Sequence, residues 1–126
     1  MACREDKDKS PIKNSFRYAF KGIHTSIRER NIKIHYTISV LVIMAGFFFS
    51  VSRIEWLFIL TCIGGMIALE MVNTAIENVV DLVTKDFHPL AKEAKDIAAG
   101  AVLMYSIYSV MVGMIIFFPK IWRMFI

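Results

Sequence analysis

The stretch Glu70-Met-Val-Asn73-Thr-Ala-Ile-Glu77-Asn-Val-Val-Asp81 ends a long apolar run and decides how the chain must fold. On a helix, Glu70, Glu77 and Asp81 fall within about 40° of one another, and Asn73 lies about 60° to one side. If the run enters the hydrocarbon at Trp56, Glu70 lies ~21 Å along the axis and Glu77 ~31 Å, against a core of ~30 Å. A charge at the depth of Glu70 costs ~2.5 to 3.5 kcal/mol and usually marks function, and a polar contact between packed helices is the alternative.

Three apolar runs account for most of the chain. Hydrophobic residues make up 56% of the 126, which exceeds the share usual in soluble domains. Residues 34–52 contain no Asp, Glu, Lys or Arg over 19 positions, and residues 97–119 contain none over 23, so each run is long enough to cross a bilayer. Residues 56–80 form the third run. We therefore predict an all-α membrane protein with spans at about 34–52, 56–80 and 97–119.

The basic residues are distributed unequally between the two predicted sides of the membrane. Nine Lys or Arg precede the first span and three lie between the second and third, whereas Arg53, Lys120 and Arg123 lie at the opposite ends. This bias of 12 against 3 places the N-terminus and the loop 81–96 in the cytoplasm and the C-terminus outside. The net charge of +4 therefore reflects topology rather than nucleic-acid binding. No disulfide is predicted, because Cys3 lies in the cytoplasmic tail and Cys62 near the outer part of a span. No zinc site is predicted, because the His residues lack ligand spacing with Cys or with one another.

The N-terminal segment is predicted as a disordered cytoplasmic tail over residues 1–11, followed by an amphipathic surface helix over residues 12–30. The apolar residues of this helix occupy an arc of about 100°, with basic residues on the other side. Tyr18, Gly22 and Glu29 share one flank about 40° wide. An extended ligand could lie along that flank, although any helix offers some such triplet and anchorage to anionic lipid explains the rest.

Stripes of small residues run along the second and third predicted spans, and we interpret both stripes as helix-packing surfaces. Thr61, Gly64, Ala68 and Ala75 lie roughly opposite the carboxylate face of the second span. Small side chains allow helices to approach closely.

The loop that follows the second span brings Lys95 and Asp96 level with Asp81. Lys95 could bind a phosphate and Asp96 could hold a ribose hydroxyl or orient the lysine, but a solvated loop of mixed charge explains them equally well.

The carboxylates suit phosphoryl transfer to a lipid alcohol. Oxygen ligands at a membrane boundary suit Mg²⁺, which normally arrives with nucleotide phosphates, and Glu29 and Glu77 are the candidate ligands. Glu70, about 10 Å deeper on the same face, could accept a proton from a lipid hydroxyl. Phosphoryl transfer depends mostly on positioning and charge neutralisation, so a small protein without a Walker-type loop could perform it.

The motif Glu70-x-x-Asn73-Thr-Ala-Ile-Glu77-x-Val-Val-Asp81, followed by His88 and by Ala94-Lys95-Asp96, resembles the prokaryotic diacylglycerol kinase family of small trimeric membrane kinases. The likeness covers roughly residues 16–118. The segments around Asn31 to His35 and His88 to Gly100 are most similar to the undecaprenol kinase branch of Gram-positive bacteria. The resemblance implies a homotrimer in the bacterial plasma membrane with active sites shared between neighbouring subunits, using ATP and Mg²⁺.

The same resemblance implies roles for individual residues. Glu70 would be the general base, and Glu29 and Glu77 would hold the divalent ion. Nucleotide contacts would come from Tyr18, Glu29, Glu77, Asp86, Phe87, His88, Lys95 and Asp96, with Asn73 and Asp81 as supporting polar residues. Pro11 departs from the pattern, because relatives in the diacylglycerol branch carry a basic residue near that position.

We predict that residues 12–126 form a single membrane kinase domain that phosphorylates a lipid alcohol, with undecaprenol preferred and diacylglycerol as the alternative within the class. A small proton-coupled transporter could use Glu70, but transport gives Glu77, Asp81 and Lys95 no shared purpose. A scaffold subunit without chemistry is the third interpretation. The sequence does not separate the two lipids, because both present a hydroxyl near Glu70.

Overall fold

A computed structural model describes residues 11–126, which form four helices. They are α1 (Pro11–Ser26), α2 (Arg30–Phe48), α3 (Arg53–Val83) and α4 (Pro89–Phe125). The last three are each long and apolar enough to cross a membrane. The predicted all-α architecture, a short N-terminal helix followed by three membrane-spanning helices, is therefore confirmed. The predicted disordered tail lies outside the described residues except for Pro11, which begins α1.

The N-terminal helix is shorter than predicted. The surface helix expected over residues 12–30 ends at Ser26, where the serine hydroxyl donates a hydrogen bond to the Ile23 carbonyl at 2.7 Å. The same carbonyl also accepts a hydrogen bond from the Ile27 amide at 3.2 Å. A serine side chain that bonds back to its own turn in this way competes with continuation of the helix. Glu29 then has an extended backbone as the N-cap of α2. The first span consequently begins at Arg30 rather than at residue 34.

The turn between α2 and α3 holds these helices antiparallel. α2 ends at Phe48, and not at residue 52, because the chain reverses through Ser50, whose φ is 50°. The Ser52 hydroxyl caps α3 by accepting a hydrogen bond from the Glu55 amide at 3.2 Å. Gly46 lies directly under the Trp56 indole, since a Cβ at this position would come within 2.6 Å of the ring. The absence of a side chain at residue 46 therefore allows the two helices to meet at the turn.

The second and third spans lie inside longer helices. α3 begins three residues before the predicted span and continues to Val83, and α4 begins at Pro89, so residues 84–88 connect them. Proline at the first helical position is favourable, and His88 caps the helix because its Nδ1 accepts a hydrogen bond from the Leu90 amide at 3.1 Å. The predicted loop at 81–96 is therefore mostly helical. Its short remainder sets α4 antiparallel to α3.

Close contacts along α3 and α4 fix their relative position. The Tyr105 hydroxyl donates a hydrogen bond to the Thr61 carbonyl at 2.7 Å, and the tyrosine ring fills the space that a side chain at residue 65 would need. Near the other end, the Lys120 ammonium lies 3.1 Å from the Glu55 carboxylate. α3 is thus the central helix, with α2 and α4 on its flanks and α1 against its end.

A small apolar cluster lies near the α2–α3 turn, whereas the fully buried Ile32 lies at the opposite end of α2. Val51, Ile59 and Ile116 form this cluster, packed against half-buried neighbours such as Phe49. Most other large apolar side chains of the spans are exposed in the single chain. Such a surface is appropriate for contact with lipid or with another subunit.

Candidate functional site

Glu70 is a buried carboxylate in the middle of α3. Its residue exposure is 5%, and its Oε1 lies 3.1 Å from Nε2 of His35 on α2. Burying a charged group is unfavourable unless it is paired or hydrogen-bonded, so the histidine compensates for the burial. The sequence pattern gave His35 no role and did not reveal this contact. The available signal was that His35 and Glu70 lie at comparable distances from the α2–α3 turn on antiparallel helices.

Asn73 and Glu77 continue the polar face by one and two turns. Asn73 is buried, with 7% exposure, and its amide donates a hydrogen bond to Oε1 of Glu77 at 3.4 Å. The Asn73 Oδ1 atom is also buried and has no hydrogen-bond partner among residues 11–126. Glu77 itself is exposed. This part of α3 therefore presents a carboxylate and an unpartnered amide oxygen next to each other.

Asp81 and Lys95 join the ends of α3 and α4. The lysine Nζ lies 2.6 Å from Oδ1 of Asp81, with both side chains partly exposed. Asp96 instead pairs with Lys92 on the outer surface of α4. The suggestion that Asp96 orients Lys95 is therefore wrong, because the neighbouring helix supplies Asp81 at that position and residue 96 points away from it.

The predicted nucleotide contacts in the α3–α4 connection lie at the surface. Phe87 is exposed over 82% of its area, Asp86 and His88 are also exposed, and the Asp86 amide donates a hydrogen bond to the Thr84 hydroxyl at 3.1 Å. His88 has the additional structural role of capping α4. These three residues precede Lys95 by seven to nine positions, about two helical turns, so the connection places them at the same end of the bundle.

Tyr18 and Glu29 do not lie on one flank of a continuous helix over residues 12–30, as predicted. Because α1 ends at Ser26, Tyr18, Gly22 and Glu29 do not share one helical face, and the predicted flank is wrong. Tyr18 is half-buried on α1, with the Arg17 guanidinium 5.3 Å from its ring centroid. Glu29 is exposed at the start of α2.

The predicted metal ligands do not form a preassembled cluster. Within residues 11–126, no group of three or more His, Cys, Asp or Glu side chains is close enough to hold a metal ion. Glu77 is hydrogen-bonded to the Asn73 amide, whose unpartnered oxygen is a candidate co-ligand. One or two carboxylates are enough for Mg²⁺ that arrives with nucleotide phosphates, so the donor set around Glu77 fits such an ion better than a resident metal.

An apolar groove runs between α2, α3 and α4 and reaches the polar face. Its volume is about 450 Å³, and Val42, Ile59, Met66, Val112 and Phe117 are among its lining residues. His35 also lines it. One imidazole ring therefore contacts both the groove and the buried Glu70 carboxylate.

Comparison with known proteins identifies the family. Residues 17–117 match the family described as prokaryotic diacylglycerol kinase. The chain belongs to this family. It is 48% identical over 108 residues to the undecaprenol kinase of Bacillus subtilis, a match that covers 85% of this chain and 88% of the relative. It is 41% identical over 111 residues to the diacylglycerol kinase of Synechocystis sp., covering 85% and 62%, and 30% identical over 112 residues to that of Helicobacter pylori, covering 82% and 87%.

Family membership confirms the resemblance that the α3 motif indicated. The protein is a lipid kinase with several membrane-spanning helices. A kinase of this family transfers a phosphoryl group from ATP, so the alternatives of a transporter and of a scaffold without chemistry are not supported.

Proposed function

We propose that the protein transfers the γ-phosphoryl group of ATP to the hydroxyl group of undecaprenol, giving undecaprenyl phosphate and ADP. The observation that supports phosphoryl transfer is the burial of Glu70, whose carboxylate contacts the imidazole of His35. The 48% identity to an undecaprenol kinase supports the choice of lipid. Diacylglycerol is the second candidate, because relatives at 41% and 30% identity are diacylglycerol kinases.

Glu70 acts as the general base in this proposal. The hydroxyl proton of the lipid moves to the Glu70 carboxylate as the hydroxyl oxygen bonds to the γ-phosphorus. The bond between that phosphorus and the β-phosphate oxygen breaks, and ADP leaves. Burial supports this role, since water is excluded from the carboxylate and a lipid hydroxyl can reach it from the apolar groove.

Glu77 and Glu29 hold the Mg²⁺ that accompanies ATP, and the ion supplies neutralisation of phosphate charge. The unpartnered Asn73 oxygen beside Glu77 supports this assignment for the α3 side. Lys95, positioned by Asp81, contacts a phosphate. The remaining nucleotide contacts come from Tyr18, Asp86, Phe87, His88 and Asp96.

The apolar groove holds the hydrocarbon chain of the acceptor lipid. Its continuity with Glu70 through His35 supports this occupant, because a chain in the groove would place its terminal hydroxyl near the base. Residues 12–126 then form one kinase domain. It lies in the bacterial plasma membrane with the N-terminus and residues 84–88 in the cytoplasm, where ATP is available, and with the C-terminus outside.

The working unit is a homotrimer with active sites shared between neighbouring subunits. The small residues Thr61, Gly64, Ala68 and Ala75 are all exposed on α3 in the single chain, which leaves a face suited to close contact with another α3 helix.

The test is a comparison of acceptor lipids with the purified protein in vesicles. Undecaprenol and diacylglycerol are supplied separately with labelled ATP and Mg²⁺, and the phosphorylated lipid is measured. We expect a higher kcat/KM with undecaprenol. A higher value with diacylglycerol would establish the second candidate, and no transfer to either lipid would contradict the proposed function.

A further inference from the structure

His35 makes a contact that the proposed chemistry leaves without a role. Its Nε2 lies 3.1 Å from Oε1 of Glu70, and the exposed fractions of the two side chains are 22% and 7%. The ring comes from α2 and the carboxylate from α3, on either side of the interface between these helices. The residue also lines the apolar groove.

The chemistry of the two groups determines which one donates. An ionised carboxylate only accepts hydrogen bonds, so in the state that a base requires the imidazole Nε2–H donates to Oε1. The terminal torsion of a glutamate is broad and otherwise poorly fixed. A donor on Oε1 therefore restrains the carboxylate plane and leaves Oε2 to receive a proton.

We propose that His35 is a positioning residue for phosphoryl transfer, holding Glu70 so that Oε2 faces the hydroxyl of the lipid acceptor. The proposal rests on the proposed role of Glu70 as base. The lipid hydroxyl loses its proton to Oε2 while its oxygen bonds to the γ-phosphorus and the bond to the β-phosphate oxygen breaks. His35 keeps its own proton throughout, and its ring borders the path by which the lipid reaches Glu70.

The first experiment measures kcat and KM for His35→Phe and His35→Gln in vesicles with the accepted lipid. Phenylalanine retains a ring but no donor, whereas glutamine retains an N–H of similar reach. We expect His35→Phe to lower kcat by about 10- to 100-fold, the range for loss of one hydrogen bond to a charged group, with the KM for ATP unchanged. His35→Gln should recover most of the loss. His24→Phe on α1 is the matched control and should retain wild-type kcat.

The second experiment repeats His35→Phe in a Glu70→Gln background. If His35 acts through Glu70, its replacement should cost little further activity once the base is gone. The same fold-loss in both backgrounds would show that His35 serves helix packing alone and would overturn the proposal. An unchanged kcat in the single variant, or a change confined to KM for ATP, would also overturn it.

Two controls separate this proposal from the proposed function. Failure of the wild-type protein to phosphorylate either lipid would reject the function itself, whereas full turnover by Glu70→Gln would reject the base and with it the role of His35. If His35→Phe does not fold, His35→Gln and His35→Met provide a pair of similar length with and without a donor. Equal kcat in that pair would overturn the proposal.

Discussion

The half of the bundle at the α2–α3 turn, here the turn end, and the half from Glu70 to residues 84–88, here the loop end, use their side chains differently. At the turn end Val51, Ile59 and Ile116 are buried together, and an ion pair between Glu55 and Lys120 joins α3 to α4. At the loop end Ile32 and Ala98 are buried, but so are two polar side chains of α3. These are the Glu70 carboxylate and the Asn73 amide, whose oxygen has no hydrogen-bond partner among residues 11–126.

This difference indicates where the protein retains groups that do not favour folding. Apolar contacts at the turn end stabilise the fold through close van der Waals packing, which drives helix association where the surroundings are lipid tails. Burial of Glu70 and Asn73 at the loop end has the opposite sign until partners compensate it. Unfavourable groups that persist in a membrane protein usually mark function. Substitutions at the two ends should therefore affect different quantities: stability at the turn end and turnover at the loop end.

The largest expected effect comes from Glu70→Gln at the loop end. Loss of the proposed general base should reduce kcat by about 10²- to 10⁴-fold, with little change in KM for ATP, because the isosteric amide preserves the shape of the site. Steady-state kinetics in vesicles provide the measurement. Glu55→Gln is the matched control, since it removes a half-buried glutamate from the turn end, and it should leave kcat near the wild-type value. Comparable kcat losses in both variants would contradict the division between the two ends.

A second substitution, Glu77→Gln, sharpens the comparison within the loop end. Removal of the carboxylate that we propose as a ligand of the metal nucleotide should raise KM for MgATP by about tenfold or more, and added Mg²⁺ should partly restore the rate. Titration of ATP at several Mg²⁺ concentrations measures this effect. If Glu77→Gln and Glu70→Gln lost nucleotide affinity to the same extent, the separate roles of ion ligand and base would be wrong.

At the turn end, Gly46→Ala should lower stability rather than turnover. The added Cβ would come within 2.6 Å of the Trp56 ring, and that ring packs against Phe47 with centroids 4.9 Å apart. Overpacking of this kind destabilises by about 1 to 3 kcal/mol. Gly100→Ala is the control, because a Cβ there meets nothing within 4 Å. Thermal unfolding in detergent should separate the two variants, and equal unfolding temperatures would show that the Gly46 contact does not limit packing.

The sequence predicted which residues share a helix but not which side chains meet between helices. Helical periodicity and run length were enough to place Glu70, Asn73 and Glu77 on one helix and to predict three spans, because these features depend on local spacing. The contact between His35 and Glu70 depends on how two helices pack, which no pattern within one helix reveals. The same reason explains why Asp81, and not the adjacent Asp96, pairs with Lys95.

The end of α1 was also missed, for a different reason. No proline or glycine follows Gly22 before residue 30, so the usual signals for a helix end are missing. The helix stops where the Ser26 hydroxyl bonds back to its own turn. As a result the position of Glu29 relative to Tyr18 could not be obtained from a helical wheel.

The smallest expected effect is on the KM for ATP when an ion pair between α3 and α4 is broken at the loop end but not at the turn end. Both the Asp81–Lys95 and the Glu55–Lys120 pair should contribute about 0 to 1 kcal/mol to stability, because their side chains are partly exposed to solvent or lipid headgroups. Asp81→Asn should nevertheless raise KM for ATP by about two- to fivefold, since Lys95 loses the partner that positions it for a phosphate. Lys120→Gln at the turn end should leave KM unchanged. A lower KM in Asp81→Asn would mean that Asp81 competes with the nucleotide for Lys95, so that the pair restrains binding where we expect it to prepare the lysine.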